Sequence, residues 1–104
     1  MLFRSPPTPP SQRTLRFYPA RPNPLSRATA FAFELPRAQG ASLEIYDLTG
    51  RRVASLASGE QGAGRHEVSW HAVDAQGARV PGGLYFARFE TLGLSRFERV
   101  VVLP

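Results

Sequence analysis

From Leu15 onward, short apolar runs recur along the chain, each broken by glycine, proline or aspartate and each too short for a helix. The clearest is Ala28–Leu35, where Phe31, Phe33 and Leu35 fall on one face and Pro36 ends the run by removing a ladder donor. Before it, Leu15–Tyr18 reads as a first strand, followed by the loop Pro19–Pro24. Ser42–Asp47 sets Leu43 and Ile45 against Glu44 and Tyr46, and Arg52–Leu56 gives a short fourth strand. After the loop Ser58–Gly64 comes a strand with His66, Val68 and Trp70 opposite Glu67 and Ser69. Leu84–Thr91 turns Tyr85, Ala87 and Phe89 inward and Phe86, Arg88 and Glu90 outward. The last run, Ser95–Leu103, ends in valines without alternation, so its register stays open; a bulge near Arg99 would bring Phe97 into line with them.

The connections carry their own signal. Asp47-Leu-Thr-Gly50-Arg-Arg-Val53 is echoed by Asp74-Ala-Gln-Gly77-Ala-Arg-Val80. An aspartate opening such a turn accepts a hydrogen bond from the backbone two residues on, and glycine takes the left-handed conformation that starts the next strand. Both read as hairpin connections. Calcium ligation is disfavoured, because each turn offers a single carboxylate. About seven short strands, antiparallel turns throughout and no helical period together predict an all-β, two-sheet antiparallel sandwich over residues 15–104.

Composition narrows this picture. The chain has 104 residues, enough for one domain, and no cysteine, so packing alone must hold it together. Residues 1–14 are rich in proline with serine, threonine and glutamine, a composition that favours solvated extended backbone and reads as a linker. The formal charge of +5 comes from 13 arginines against 8 carboxylates, but Arg4, Arg13, Arg16, Arg21 and Arg27 precede the first acid. The folded part is then nearly neutral and lacks the dense charge with interleaved aromatics of a nucleic-acid surface. No window reaches the length of a membrane span, and Met1-Leu-Phe-Arg4 leads into prolines without the apolar stretch of a signal peptide. The chain therefore reads either as cytosolic or as the tail of a longer protein exported by a signal elsewhere.

Catalytic chemistry finds little support. Gly59, Gly62 and Gly64 lie between two strands, where a phosphate cradle would need a following helix. His66 and His71 are separated by five residues, which places them on opposite strand faces and argues against a shared metal. Glu34, Glu44, Glu67, Glu90 and Glu98 fall on outward positions and read as a solvated face. The reading is non-enzymatic, with no metal and no cofactor. Trp70 and Gly83-Leu-Tyr85 read as structural, the tyrosine packing its ring and tying its hydroxyl to nearby backbone. Outward Tyr46 and Phe86 would form an apolar patch if nothing covered them, although burial within the sandwich is the favoured reading.

Taken in order, Tyr18–Pro24, Phe31–Pro36, Leu43–Val53, Gly64–Trp70, Asp74–Gly77, Gly83–Tyr85 and Arg99–Val102 make the chain resemble the C-terminal sorting domains of type IX secretion. It is equally similar to the Ig-like domain of flagellar hook-capping, FlgD-like proteins. The resemblance covers residues 18–103, although His71 stands where relatives often carry aspartate. It implies an Ig-like β-sandwich, a monomeric C-terminal module of a larger bacterial protein exported through the periplasm to the surface or medium. Its partner would be outer-membrane secretion machinery or, in the hook-capping reading, a structural assembly partner. The candidate recognised surfaces are the Asn23-Pro24 loop and the final strand about Arg99.

Overall fold

Alternation in the sequence becomes two layers in space. The computed structural model describes residues 15–104, and the expected linker at 1–14 lies outside them. Among the described residues there are nine strands: β1 (Arg16–Arg21), β2 (Thr29–Leu35), β3 (Gln39–Gly40), β4 (Ser42–Tyr46), β5 (Arg52–Ala57), β6 (Glu60–Gln61), β7 (Gly64–Trp70), β8 (Gly83–Thr91) and β9 (Leu94–Val102). One sheet has the order β1-β2-β7 and the other β5-β4-β8-β9, while β3 and β6 form a small ribbon of their own. The fold is an all-β, Ig-like antiparallel sandwich.

The core is where the inward residues of both sheets meet. Phe31, Phe33 and Leu35 of β2 face Leu43, Ile45, Ala87, Phe89, Val100 and Val102, all fully buried or within a few per cent of it. Aromatic rings cross the gap between layers. Phe89 stacks on Phe17 at 5.1 Å and tilts against Phe33 at 5.0 Å, and Trp70 meets Tyr85 edge-on at 5.8 Å. Such pairs add to the burial of the rings themselves, so this seam holds the sheets in one relative position.

Several expectations need correction. The strand count is nine because residues 60–61, expected within a loop, pair with Gln39–Gly40. Gln39, on that ribbon, is buried and donates to Thr91 Oγ1 at 2.8 Å, tying it to the end of β8. β1 continues through Pro19, which its edge position and a register shift between Tyr18 and Arg21 allow. The Asp74 turn is not a hairpin between paired strands, since β7 and β8 belong to different sheets. It is a local loop, closed by one bridge between Val73 and Arg79, on a crossover between layers. Nor are all contacts antiparallel, because Leu25 bridges Val102 in parallel.

The last strand differs most from expectation. β9 pairs with β8 without interruption from Gly83↔Val102 to Thr91↔Leu94, so there is no bulge at Arg99. With unbroken alternation, Val100 and Val102 point inward and Phe97 points out, 66% exposed. The residue sharing the inward face is Glu98. Its carboxylate, read from the sequence as solvated, accepts the Ala20 N–H at 2.6 Å, and burial pushes its pKa upward.

Candidate recognition surface

Asn23, Pro24 and Arg99, distant in sequence, come together at one edge of the four-stranded sheet. The chain leaving β1 passes through Pro22 and Pro24, both preceded by cis peptide bonds, and runs alongside the end of β9. Asn23 sits there as a substitute for strand backbone. Its amide donates to Arg99 O at 2.8 Å and its carbonyl accepts from Val101 N at 3.0 Å. Leu25 continues the pairing, donating to Val101 O at 2.9 Å and accepting from Leu103 N at 2.8 Å. The Leu25 side chain is fully buried, which anchors the segment in the core. The result is a cap over the C-terminal half of an edge strand that would otherwise present unpaired groups.

Beside this cap lies the outer face of the four-stranded sheet. Arg99 is exposed and sits across from Phe86, which in turn pairs with Tyr46; Val101 is across from Leu84 and Phe97 from Arg88. Asn23, Pro24, Leu84, Arg99 and Val101 line a shallow groove. Tyr46 and Phe86 therefore belong to the outer face, not to the sandwich interior that the sequence favoured; they are half-buried by their neighbours. Charges on this face are partly neutralised. Glu44 takes Arg52 and the Tyr46 hydroxyl, both at 2.8 Å, and these hydrogen bonds hold its carboxyl below the usual range. Arg88 pairs with Glu90 at 2.6 Å.

The two aspartate turns meet at the opposite concern, structural closure of one end. In each, the glycine N–H donates to the aspartate carbonyl, Gly50 to Asp47 at 3.0 Å and Gly77 to Asp74 at 2.9 Å, with glycine φ of 85° and 83°. Each carboxylate accepts from the N–H groups two and four residues on. The Thr49 hydroxyl adds a further bond to Asp47 and is the main cause of its lowered pKa. Ala75 N donates to Val53 O at 3.1 Å and so links the turns. An open cleft of about 720 Å³ lies between them, bordered by Asp47, Asp74, Arg79 and Tyr85.

Trp70 donates its indole N–H to Val73 O at 2.9 Å, and Tyr85 donates its hydroxyl to Pro81 O at 2.6 Å. Burial is the first cause of the raised Tyr85 pKa, the Asp47 charge the second. Gly83 has φ 151°, a conformation closed to side chains, and a Cβ on Gly82 would lie 2.8 Å from the Pro104 backbone. His66 stacks on Phe33 at 5.0 Å with its Nε2 2.7 Å from Gly62 O. Among the described residues no three potential ligands converge on a metal site.

Sequence reasoning missed Leu25, Glu98 and Gly82. Leu25 lies in a proline-rich loop that looks solvated, and Glu98 is hidden by the valine run. Only a correct register for β9 would have turned the carboxylate inward.

The family model described as FlgD Ig-like domain matches residues 23–91. That stretch runs from the Asn23 cap to the end of β8 and leaves β1 and β9 outside it. Among solved structures, the chain is similar to dimeric latent PorU from Porphyromonas gingivalis, with 22% identity, a TM-score of 0.66 and coverage of 81% of this chain but 9% of that one. It is also similar to PorZ of the same organism, described as an essential bacterial surface component of the type-IX secretion system, with 28% identity and a TM-score of 0.53. There it covers 86% of this chain and 11% of PorZ. The chain thus spans about a tenth of either protein. No curated protein matches it.

Proposed function

The chain belongs to the FlgD Ig-like domain family, and on that footing we propose that it is a non-catalytic recognition module directing secretion or surface attachment of an upstream cargo protein. The observation carrying this reading is its likeness, over 86% of its length, to a domain-sized part of PorZ. Likeness in fold to part of PorU accords with it. In mechanism, the folded sandwich presents a surface to secretion machinery in the outer membrane. Asn23 fixes the end of β9, and Pro24 and the exposed Arg99 line the groove beside it. The module acts as a monomeric tail, joined to its cargo by the linker at residues 1–14.

A second reading follows from the family itself: a domain of an extracellular assembly, as in a flagellar hook cap, that binds a structural partner. The two separate on transport. Residues 1–104 fused behind a periplasm-directed reporter, in a host with type IX machinery, are expected to carry that reporter to the surface or medium. A folded fusion that stays in the periplasm favours the assembly role.

A further inference from the structure

The cap formed by Asn23 and Leu25 covers only half of β9. On this strand the N–H and C=O groups of Val101 and the C=O of Arg99 point away from β8, toward the cap. Backbone direction alternates with each residue, and the ladder with β8 has no register shift. The N–H and C=O groups of Phe97 and Ser95 therefore point the same way, beyond the cap. Among the described residues, no strand pairs with that edge. Phe97 stands above it with 66% of its surface exposed.

Charge distinguishes this edge from the others. Arg16 and Arg21 lie on β1, which passes β9 where Ala20 N reaches Glu98, and Arg96 and Arg99 lie on β9 itself. All four are exposed, and among the described residues none is in salt-bridge range of a carboxylate. Glu98, the acid nearest to Arg96 and Arg99 in sequence, is turned inward, and Glu34, across from Arg16, is bonded by the Tyr18 hydroxyl at 2.6 Å. Arg51, Arg52, Arg65 and Arg88 each have an acidic neighbour, whereas Arg27, Arg37 and Arg79, all in loops, have none among the described residues. The other edges are also less open. β5 has two register shifts, β1 carries Pro19 and a shift, and β7 neutralises its own Arg65 with Glu67 at 3.8 Å.

We propose that the uncapped half of β9, Leu94–Glu98, binds an acidic extended peptide segment by adding it as a further strand. Main-chain hydrogen bonds to Ser95 and Phe97 supply the pairing, an apolar side chain of the segment packs on Phe97, and its carboxylates, on the other face of the added strand, meet Arg96. This deepens the recognition-module reading, on which it rests, by giving the partner's chemistry. β1 and β9, which carry these four arginines, lie outside the matched residues 23–91.

The test is a titration of the full chain with a fluorescein-labelled peptide of alternating glutamate and valine, and with its lysine counterpart, read by anisotropy and by amide shifts of the labelled protein. The acidic peptide is expected to bind with shifts at Ser95, Phe97 and Arg99, and to weaken as salt rises. Phe97→Pro removes an outward N–H without breaking the ladder to β8 and should weaken binding at least about tenfold. Should that variant unfold, Arg96→Glu and a peptide methylated on its pairing amides are expected to give the same loss. Equal binding of the lysine peptide, or shifts confined to the aspartate turns or β7, would overturn the proposal. So would self-association that Phe97→Pro abolishes, which would make the occupant a second copy of the chain. Absent peptide binding with export of the fused reporter intact removes this inference alone; retained binding with failed export removes the secretion reading instead.

Discussion

Asn23 is where a loop reading and a structural reading diverge most sharply, and replacing it separates them. Asn23→Ala deletes both side-chain bonds to β9, the donor to Arg99 O at 2.8 Å and the acceptor for Val101 N at 3.0 Å. Each such bond contributes about 0.5–1.5 kcal/mol net. Both sit at an exposed position where water can replace them, so the loss should fall near the lower end, about 1–2 kcal/mol. For a domain of this size, 1 kcal/mol moves Tm by about 4–8 °C. Urea unfolding should show a lower midpoint with an unchanged slope, since the surface exposed on unfolding is the same. Amide exchange gives the local readout: Val101 N–H should exchange faster, while the Leu25 and Leu103 amides, held by backbone pairing, keep much of their protection. Unchanged stability together with a protected Val101 amide would refute the view that Asn23 completes the edge of β9.

Other positions give independent checks. The β8–β9 turn places Leu92 at φ 47° and Gly93 at φ 78°, a pair of left-handed residues, and Leu92 is 79% exposed. Leu92→Asn should therefore stabilise the domain by about 1 kcal/mol in thermal melts, and a destabilised variant would contradict the turn assignment. Trp70→Ala should cost about 3–5 kcal/mol, because it empties the seam against Tyr85 and orphans Val73 O; an unchanged melt would mean the ring is not core. Burial raises the folded pKa of Glu98 above its ordinary 4.5, so its ionisation opposes folding as pH rises through that window. The difference in Tm between Glu98→Gln and the parent should move in favour of glutamine between about pH 4 and neutrality; no change would place the carboxylate in solvent, and a shift toward the parent would mean that the Ala20 N–H outweighs burial.

Much of the architecture was legible because period and punctuation agreed. Phe31, Phe33 and Leu35 could only share one face, and the two aspartate–glycine spacings mark their turns. What stayed hidden depended on contacts distant in sequence. The strand partners of the Asp74 turn could not be read locally, since a crossover and a hairpin use the same residues. The two-residue strands β3 and β6 are too short to carry a period. Arg99 and Asn23 could be picked out as candidates, but not the bonds joining them. Glu98 was misplaced because consecutive valines mask alternation, and a shift of one residue exchanges the two faces. The turn at Leu92-Gly93 lacks the asparagine that usually announces two left-handed residues, so its conformation could not be read locally.

The most direct test of the recognition-module account compares one reporter in two strains. Residues 1–104 are fused behind a periplasm-directed reporter and produced in a host with type IX machinery and in an otherwise identical strain without it. The account predicts surface or medium accumulation only in the first strain, with Arg99→Glu reducing it while circular dichroism and melting stay those of a folded domain. Equal periplasmic retention in both strains, with the fused domain folded, would contradict it and leave the assembly role.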